Sequence, residues 1–223
     1  MGEGVAAQRR SLISQARCET VHGSETAPGR SAMNHLLRLL AAVLLSLAAP
    51  LPAQAAVTIT FWSHELGNSF PHAFFTLRGT PDAGGDPVDL NYGFTARSVS
   101  PAILMGPVAG RIDVAKPGYI AGSTAQFATV LSDTQYAEIL ALVALWGGTG
   151  EDSRYKLGTH NCVHFVMEAA RRSGLTDLER PKLMKRPRSY LQSIAQANAD
   201  KVTIIAKQGR DYLPTLTALA PVP

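Results

Sequence analysis

The order and periodicity of the apolar segments support an α+β domain, a small antiparallel sheet packed with helices. Two runs rich in β-branched and aromatic residues, Val57 to Trp62 and His72 to Leu77, are followed by an alternating segment, Val88 to Phe94. Helical patterns come afterwards, at residues 132–146, 161–172 and 188–198. Strands gathered first and helices second are the pattern of a sheet with helices segregated on it.

Each element has a local cause. VTITFW and HAFFTL carry the residues that fit a pleated surface, and Arg78-Gly79 ends the second run. PDAGGDP at 81–87 is a turn by composition. Beyond it, Val88, Leu90, Tyr92 and Phe94 alternate with Asp89, Asn91 and Gly93, so a hairpin with one apolar face is expected. Residues 98–123 mix Pro and Gly with apolar residues and predict irregular chain or short edge strands. Ser132 and Gln135 form a capping box ahead of Tyr136, Ile139, Leu140, Val143 and Leu145, and Gly147-Gly148 stops the helix after Trp146. In the next helix Cys162, Phe165, Val166 and Ala169 fall at i, i+3, i+4 and i+7, so the apolar stripe includes the cysteine.

Ahead of the domain, residues 33 to 56 read MNHLLRLLAAVLLSLAAPLPAQAA, with a basic start, an apolar run closed by Pro50 and Pro52, and Ala53-Gln54-Ala55. This is the pattern of a secretory signal peptide, Met33 to Ala55, with an A-x-A cleavage site. The apolar run is about a dozen residues where a membrane span needs about twenty, so no transmembrane anchor is expected. Residues 1–32 are polar and aperiodic, and are read as a non-native or disordered extension before a start at Met33. The expected organisation is then the extension, the signal peptide, a domain at 56–212 and a loose Pro- and Ala-rich tail at 213–223. Localisation is expected to be periplasmic or secreted.

The 223 residues carry a formal net charge of +4. Much of that excess lies in the first 55 residues, where Arg9, Arg10, Arg17, Arg30 and Arg38 stand against Glu3, Glu19 and Glu25. The densest basic stretch beyond them, Arg180, Lys182, Lys185, Arg186 and Arg188, lacks interleaved aromatics and reads as a solvated face rather than a nucleic-acid surface.

Removal of the signal peptide takes Cys18 with it and leaves Cys162 as the single thiol. An unpaired thiol in an oxidising compartment is buried and inert, pairs with another chain, or performs chemistry. Cys162 falls in the first turn of its helix, capped by Thr159 or Asn161, where free amides and the dipole favour a thiolate and a lowered pKa. The same amides could receive an oxyanion. The alternative is a small apolar residue on a buried stripe.

Four histidines are available to such a thiol. His160 and His164 stand two residues either side of Cys162 and point to other helix faces, so local hydrogen bonding is expected of them. No second Cys or His pair gives zinc-ligand spacing, and neither a metal nor another cofactor is expected. His72 opens a strand, a rigid mount for a general base, although a structural histidine capping the sheet fits as well. His64, in a loop after the first strand, is the second choice.

The run Leu157-Gly158-Thr159-His160-Asn161-Cys162-Val163-His164-Phe165-Val166, preceded by Tyr155, resembles the Asn-Cys-x-His-Phe motif of circularly permuted NlpC-type, papain-like proteins. That group includes the lecithin retinol acyltransferase family and the desumoylating isopeptidases, in which the histidine precedes the cysteine. His72-Ala73-Phe74-Phe75-Thr76-Leu77 is similar to their histidine-bearing strand. The resemblance, spanning about Trp62 to Leu175, implies a papain-like fold with Cys162 as nucleophile and His72 as base. Acyltransferase-like members orient the base with a second histidine or another polar residue on the next strand. This chain has no histidine there and offers Asn91, or failing that Asp89, or no third group.

Three functions are open at this point. An exported cysteine hydrolase would cleave a peptide or isopeptide amide through an acyl-enzyme, with cell-wall peptides or envelope proteins within reach. An acyltransferase or phospholipase would use the same pair on a lipid ester, with Ala102, Ile103, Leu104 and Met105 forming an apolar channel. An inactive envelope binding module would keep the fold and bury Cys162.

Overall fold

The computed structural model describes residues 56–65, 70–98 and 100–217. The signal segment and the extension before it lie outside the described residues, as does the tail beyond 217.

Strands β1 (Val57–His64), β2 (His72–Gly79) and β3 (Val88–Ala96) come first, followed by a short helix α1 (Ala102–Met105), β4 (Val108–Asp113) and α2 (Pro117–Ala121). Then follow β5 (Thr124–Leu131), α3 (Asp133–Gly147), β6 (Arg154–Tyr155), α4 (Cys162–Arg172), α5 (Pro187–Ala197), β7 (Thr203–Gln208) and α6 (Gly209–Tyr212). Among the described residues the strands form one sheet in the order β6-β4-β3-β2-β1-β5-β7, and every pairing is antiparallel. The fold is α+β, as the sequence predicts.

Alternation along β1 to β3 builds two faces. On one, Ile59, Phe61, Ala73, Phe75, Leu77 and Phe94 are buried with side chains of α3, α4 and α5 in the main core. Phe75 stacks on Phe165 at 5.4 Å between ring centroids, and Phe94 meets Trp146 edge-on at 4.8 Å. Offset and edge contacts of this kind suit the aromatic quadrupole and add to the gain from burial. On the other face Trp62, Phe74 and Ala125 are covered by Tyr119, Ile120, Tyr212 and Leu213. Leu213 is the first residue of the segment 213–223, and a 3-10 turn spans Leu213–Thr215.

The capping box predicted for α3 is present, with Ser132 accepting from the Gln135 amide. The buried face differs by a small rotation: Ile139, Leu142 and Trp146 are buried, whereas Leu145 is exposed. Apolar residues lie on most sides of this helix, so periodicity alone does not choose its face; the insertion of Trp146 against Phe94 does. Strands β5, β6 and β7 are additions to the sequence reading, and β4 falls in the segment expected to be irregular or to hold short edge strands. Strand β5 lies inside the sheet yet carries buried Gln126, which donates to Ser63 Oγ at 2.9 Å, and that polar pair breaks the apolar signal.

Candidate active site

Cys162 opens α4, where the helix N-terminus meets the sheet. Asn161 is the cap: its Oδ1 accepts from the amides of Val163 at 2.8 Å and His164 at 3.3 Å. Its Nδ2 donates to the carbonyls of Leu157 at 2.7 Å and Met184 at 2.9 Å. His164 completes a capping box, Nδ1 accepting from the Asn161 amide at 3.3 Å. One buried amide side chain thus ties the helix start to the preceding loop and to the segment before α5, and fixes where the thiol sits.

Cys162 is only 7% exposed. Burial pushes its pKa up to about 11, against the opposing pull of the backbone amides of Ala73, Val163 and Cys162 itself. This corrects the expectation of a lowered value. The amides of Val163 and His164 are already engaged by Asn161, and desolvation of a thiolate outweighs what the helix end contributes. The thiol is protonated at neutral pH.

His72 stands at the beginning of β2, in register with His64 on β1. It keeps an edge open to a cavity, yet enough of its ring is enclosed that burial pushes its pKa down to about 4. Asp113 pulls that value up and His64 pushes it further down. A neutral imidazole and a neutral thiol therefore coexist at neutral pH.

Both side chains line one cavity of about 920 Å³, together with Asp113, Tyr119, Tyr155 and the apolar pair Ile103 and Leu104. A smaller hollow of about 400 Å³ shares Ile103, Leu104, Leu157 and Lys185 with it. Tyr155 has its pKa raised to about 12 by burial and by the neighbouring Cys162 thiol, so its hydroxyl remains a hydrogen-bond donor.

The remaining sequence candidates have other occupations. His64 Nδ1 is 3.0 Å from Ser123 Oγ and its ring stacks on Tyr119 at 4.0 Å. His160 stacks on Trp146 at 3.7 Å and its Nε2 donates to the Asp152 carbonyl at 2.8 Å. Asn91 is not brought to His72. Its Oδ1 accepts from the Ala115 amide at 2.6 Å and its Nδ2 donates to the Ala115 carbonyl at 3.3 Å, pinning the chain after β4. Asp89 forms an ion pair with Arg78 at the far end of the hairpin. Asp113 and Tyr155 are the polar lining groups that sequence reasoning did not assign. Among the described residues no group of His, Cys, Asp and Glu side chains could hold a metal ion. No helix among them is long and apolar enough to cross a membrane.

No family model matches the chain, and no curated protein matches it. Among solved structures, the chain is similar to the crystal structure of a Type VI secretion system effector, TseH, at 16% identity and a TM-score of 0.44. The likeness covers 68% of this chain and 98% of that one.

Proposed function

We propose that this protein is an exported cysteine hydrolase of papain-like, permuted NlpC-type construction that cleaves an amide bond, peptide or isopeptide, through Cys162 and His72. The observation that carries the reading is that, among the described residues, the one thiol at a helix start and the one histidine at a strand start line the same cavity. In the reaction His72 takes the thiol proton as the sulfur attacks the substrate carbonyl, and the imidazolium returns it to the leaving nitrogen. The thioester is then opened by water, whose proton goes to His72, and the thiol is regenerated. The Tyr155 hydroxyl, which lines the same cavity, and the Cys162 amide are the donors proposed for the oxyanion.

A second reading keeps the pair and changes the acyl donor to a lipid ester, and the apolar wall at Ile103 and Leu104 favours it. An activated ester separates an enzyme from an inert binding module. p-Nitrophenyl acetate is expected to release a burst of nitrophenolate and leave one acetyl group on Cys162 by peptide mass mapping. His72→Ala should remove the burst and His64→Ala should keep it. A folded protein whose thiol stays unmodified until denaturant is added sinks both enzyme readings. Peptide amides and phospholipid vesicles, offered separately to the active protein, then divide the two donors. Export is checked by the N-terminus of the periplasmic product, expected at Ala56.

A further inference from the structure

Neither polar residue that the sequence offered on β3 reaches His72, but the next strand supplies one. Phe74 pairs with Gly93, and Gly93 pairs with Asp113. Alternation from these pairs places His72, Gly93 and Asp113 on the same face of the sheet. The imidazole leans over Gly93: a Cβ built there would stand 2.5 Å from Nε2 and 3.3 Å from Cε1. Only a residue without a side chain leaves that space, which is the use of glycine where two groups must approach across a strand. Nε2 is therefore the ring nitrogen over β3, and Asp113 stands one strand spacing beyond, about 5 Å.

Asp113 is prepared for the task. Its Oδ1 lies 2.8 Å from Arg111 Nη2 in an ion pair, and no hydrogen bond engages its Oδ2 among the described residues. Its side chain is 32% exposed and lines the cavity that holds His72 and Cys162. His64 from β1 also acts on the ring, and the other titratable and charged groups lining the cavity are Tyr119 from α2, Arg111 from β4, Tyr155 from β6, Cys162 from α4 and Lys185. Of these and Asp113, only Asp113 offers a carboxylate.

We infer that Asp113 is the positioning residue of this site: its carboxylate, reaching past the bare Cα of Gly93, accepts the Nε2 proton of His72 and leaves Nδ1 as the basic nitrogen. The inference rests on the Cys162–His72 reading for its catalytic meaning, but not for its geometry. Gly93 acts as the notch that makes the contact possible, and Arg111 holds the carboxylate in place.

Nitrogen-15 correlation spectra of the His72 ring at pH 7 test this directly on the full domain. The parent is expected to be protonated at Nε2. Asp113→Ala should convert most of the ring to the Nδ1-protonated tautomer or a mixture and slow acetylation of Cys162 about tenfold or more, as loss of a base-orienting group does. Asp113→Glu should recover the Nε2 tautomer and part of the rate. A parent ring protonated at Nδ1 overturns the inference without any variant, as does an Asp113→Ala protein whose tautomer and rate match the parent. If instead His72→Ala leaves acetylation intact, the dyad fails while the tautomer measurement still decides the place of Asp113.

Discussion

Two helices of this protein begin with the same local device and come to different chemical ends. Helix α3 starts with Ser132 and Gln135 in a capping box, and α4 starts with Asn161 and His164 in another. The first places Asp133 at its opening residue, in solvent, where the carboxylate accepts from the amides of Asp82 at 2.9 Å and Ala83 at 2.6 Å and holds the β2–β3 turn. The second places Cys162 there, against the sheet and nearly closed to water. A helix start favours negative charge in both cases. In solvent that preference is free to act; under the sheet, desolvation exceeds it and the thiol stays neutral. Position in a helix therefore does not activate a cysteine by itself. Activation would need a neighbouring base, the role proposed above for His72.

The largest expected effect separates the two starts by reactivity. Cys162→Ser or His72→Ala should lower acyl transfer from an activated ester by about a thousandfold or more, whereas Asp133→Asn should leave it unchanged, as read by stopped-flow release of nitrophenolate. Equal losses at both helices would mean that the assay reports folding, and circular dichroism of each variant distinguishes that outcome.

Stability ranks the caps next. Asn161→Ala opens four hydrogen bonds at a buried site and should cost about 3 kcal/mol in urea unfolding, since buried groups left without partners cost more than a lost surface cap. Ser132→Ala removes an exposed cap and should cost about 1 kcal/mol.

The pH dependence sharpens the same contrast. The Cys162 thiol titrates at about 11 when folded against an ordinary 9.0, so its contribution is fully present below pH 9 and is lost as pH rises through 11, when the unfolded chain ionises first. The loss should reach about 2 to 3 kcal/mol, and Cys162→Ala should flatten it in unfolding curves taken from pH 8 to 11. His72 works in the opposite direction. Its pKa falls from 6.5 to about 4 on folding, so its contribution is present above pH 6.5 and is lost as pH falls through 4. His72→Ala should therefore weaken the acid dependence between those values. At the small end, Leu145→Gln on the exposed side of α3 should change stability by less than about 0.5 kcal/mol.

How far the chain could be read in advance follows from the range of each interaction. Both capping partners lie three residues apart, and the stripe Cys162, Phe165, Val166, Ala169 repeats within one helix, so both helices could be placed from neighbours alone. Strands β1 to β3 carry their own alternation. By contrast, β5 hides its place behind the Gln126–Ser63 pair, whose partners are far apart in the chain. Gly93 was visible as a glycine inside an alternating strand, a mark of close approach, but what approaches it belongs to β2.

The sequence alone determined that a cysteine opens an apolar helix and that a histidine opens a strand about ninety residues earlier, because periodicity and caps act over a few residues; the α+β fold followed from the motif resemblance, with the strand and helix pattern in support. Only the tertiary structure decided that Cys162 and His72 share a cavity, that Asn91 serves the backbone of Ala115 instead, and that Asp113 lies beyond Gly93. It also decided the sign of the thiol's pKa shift. Burial and strand register join residues distant in the chain, and ionisation follows the solvent that those contacts exclude.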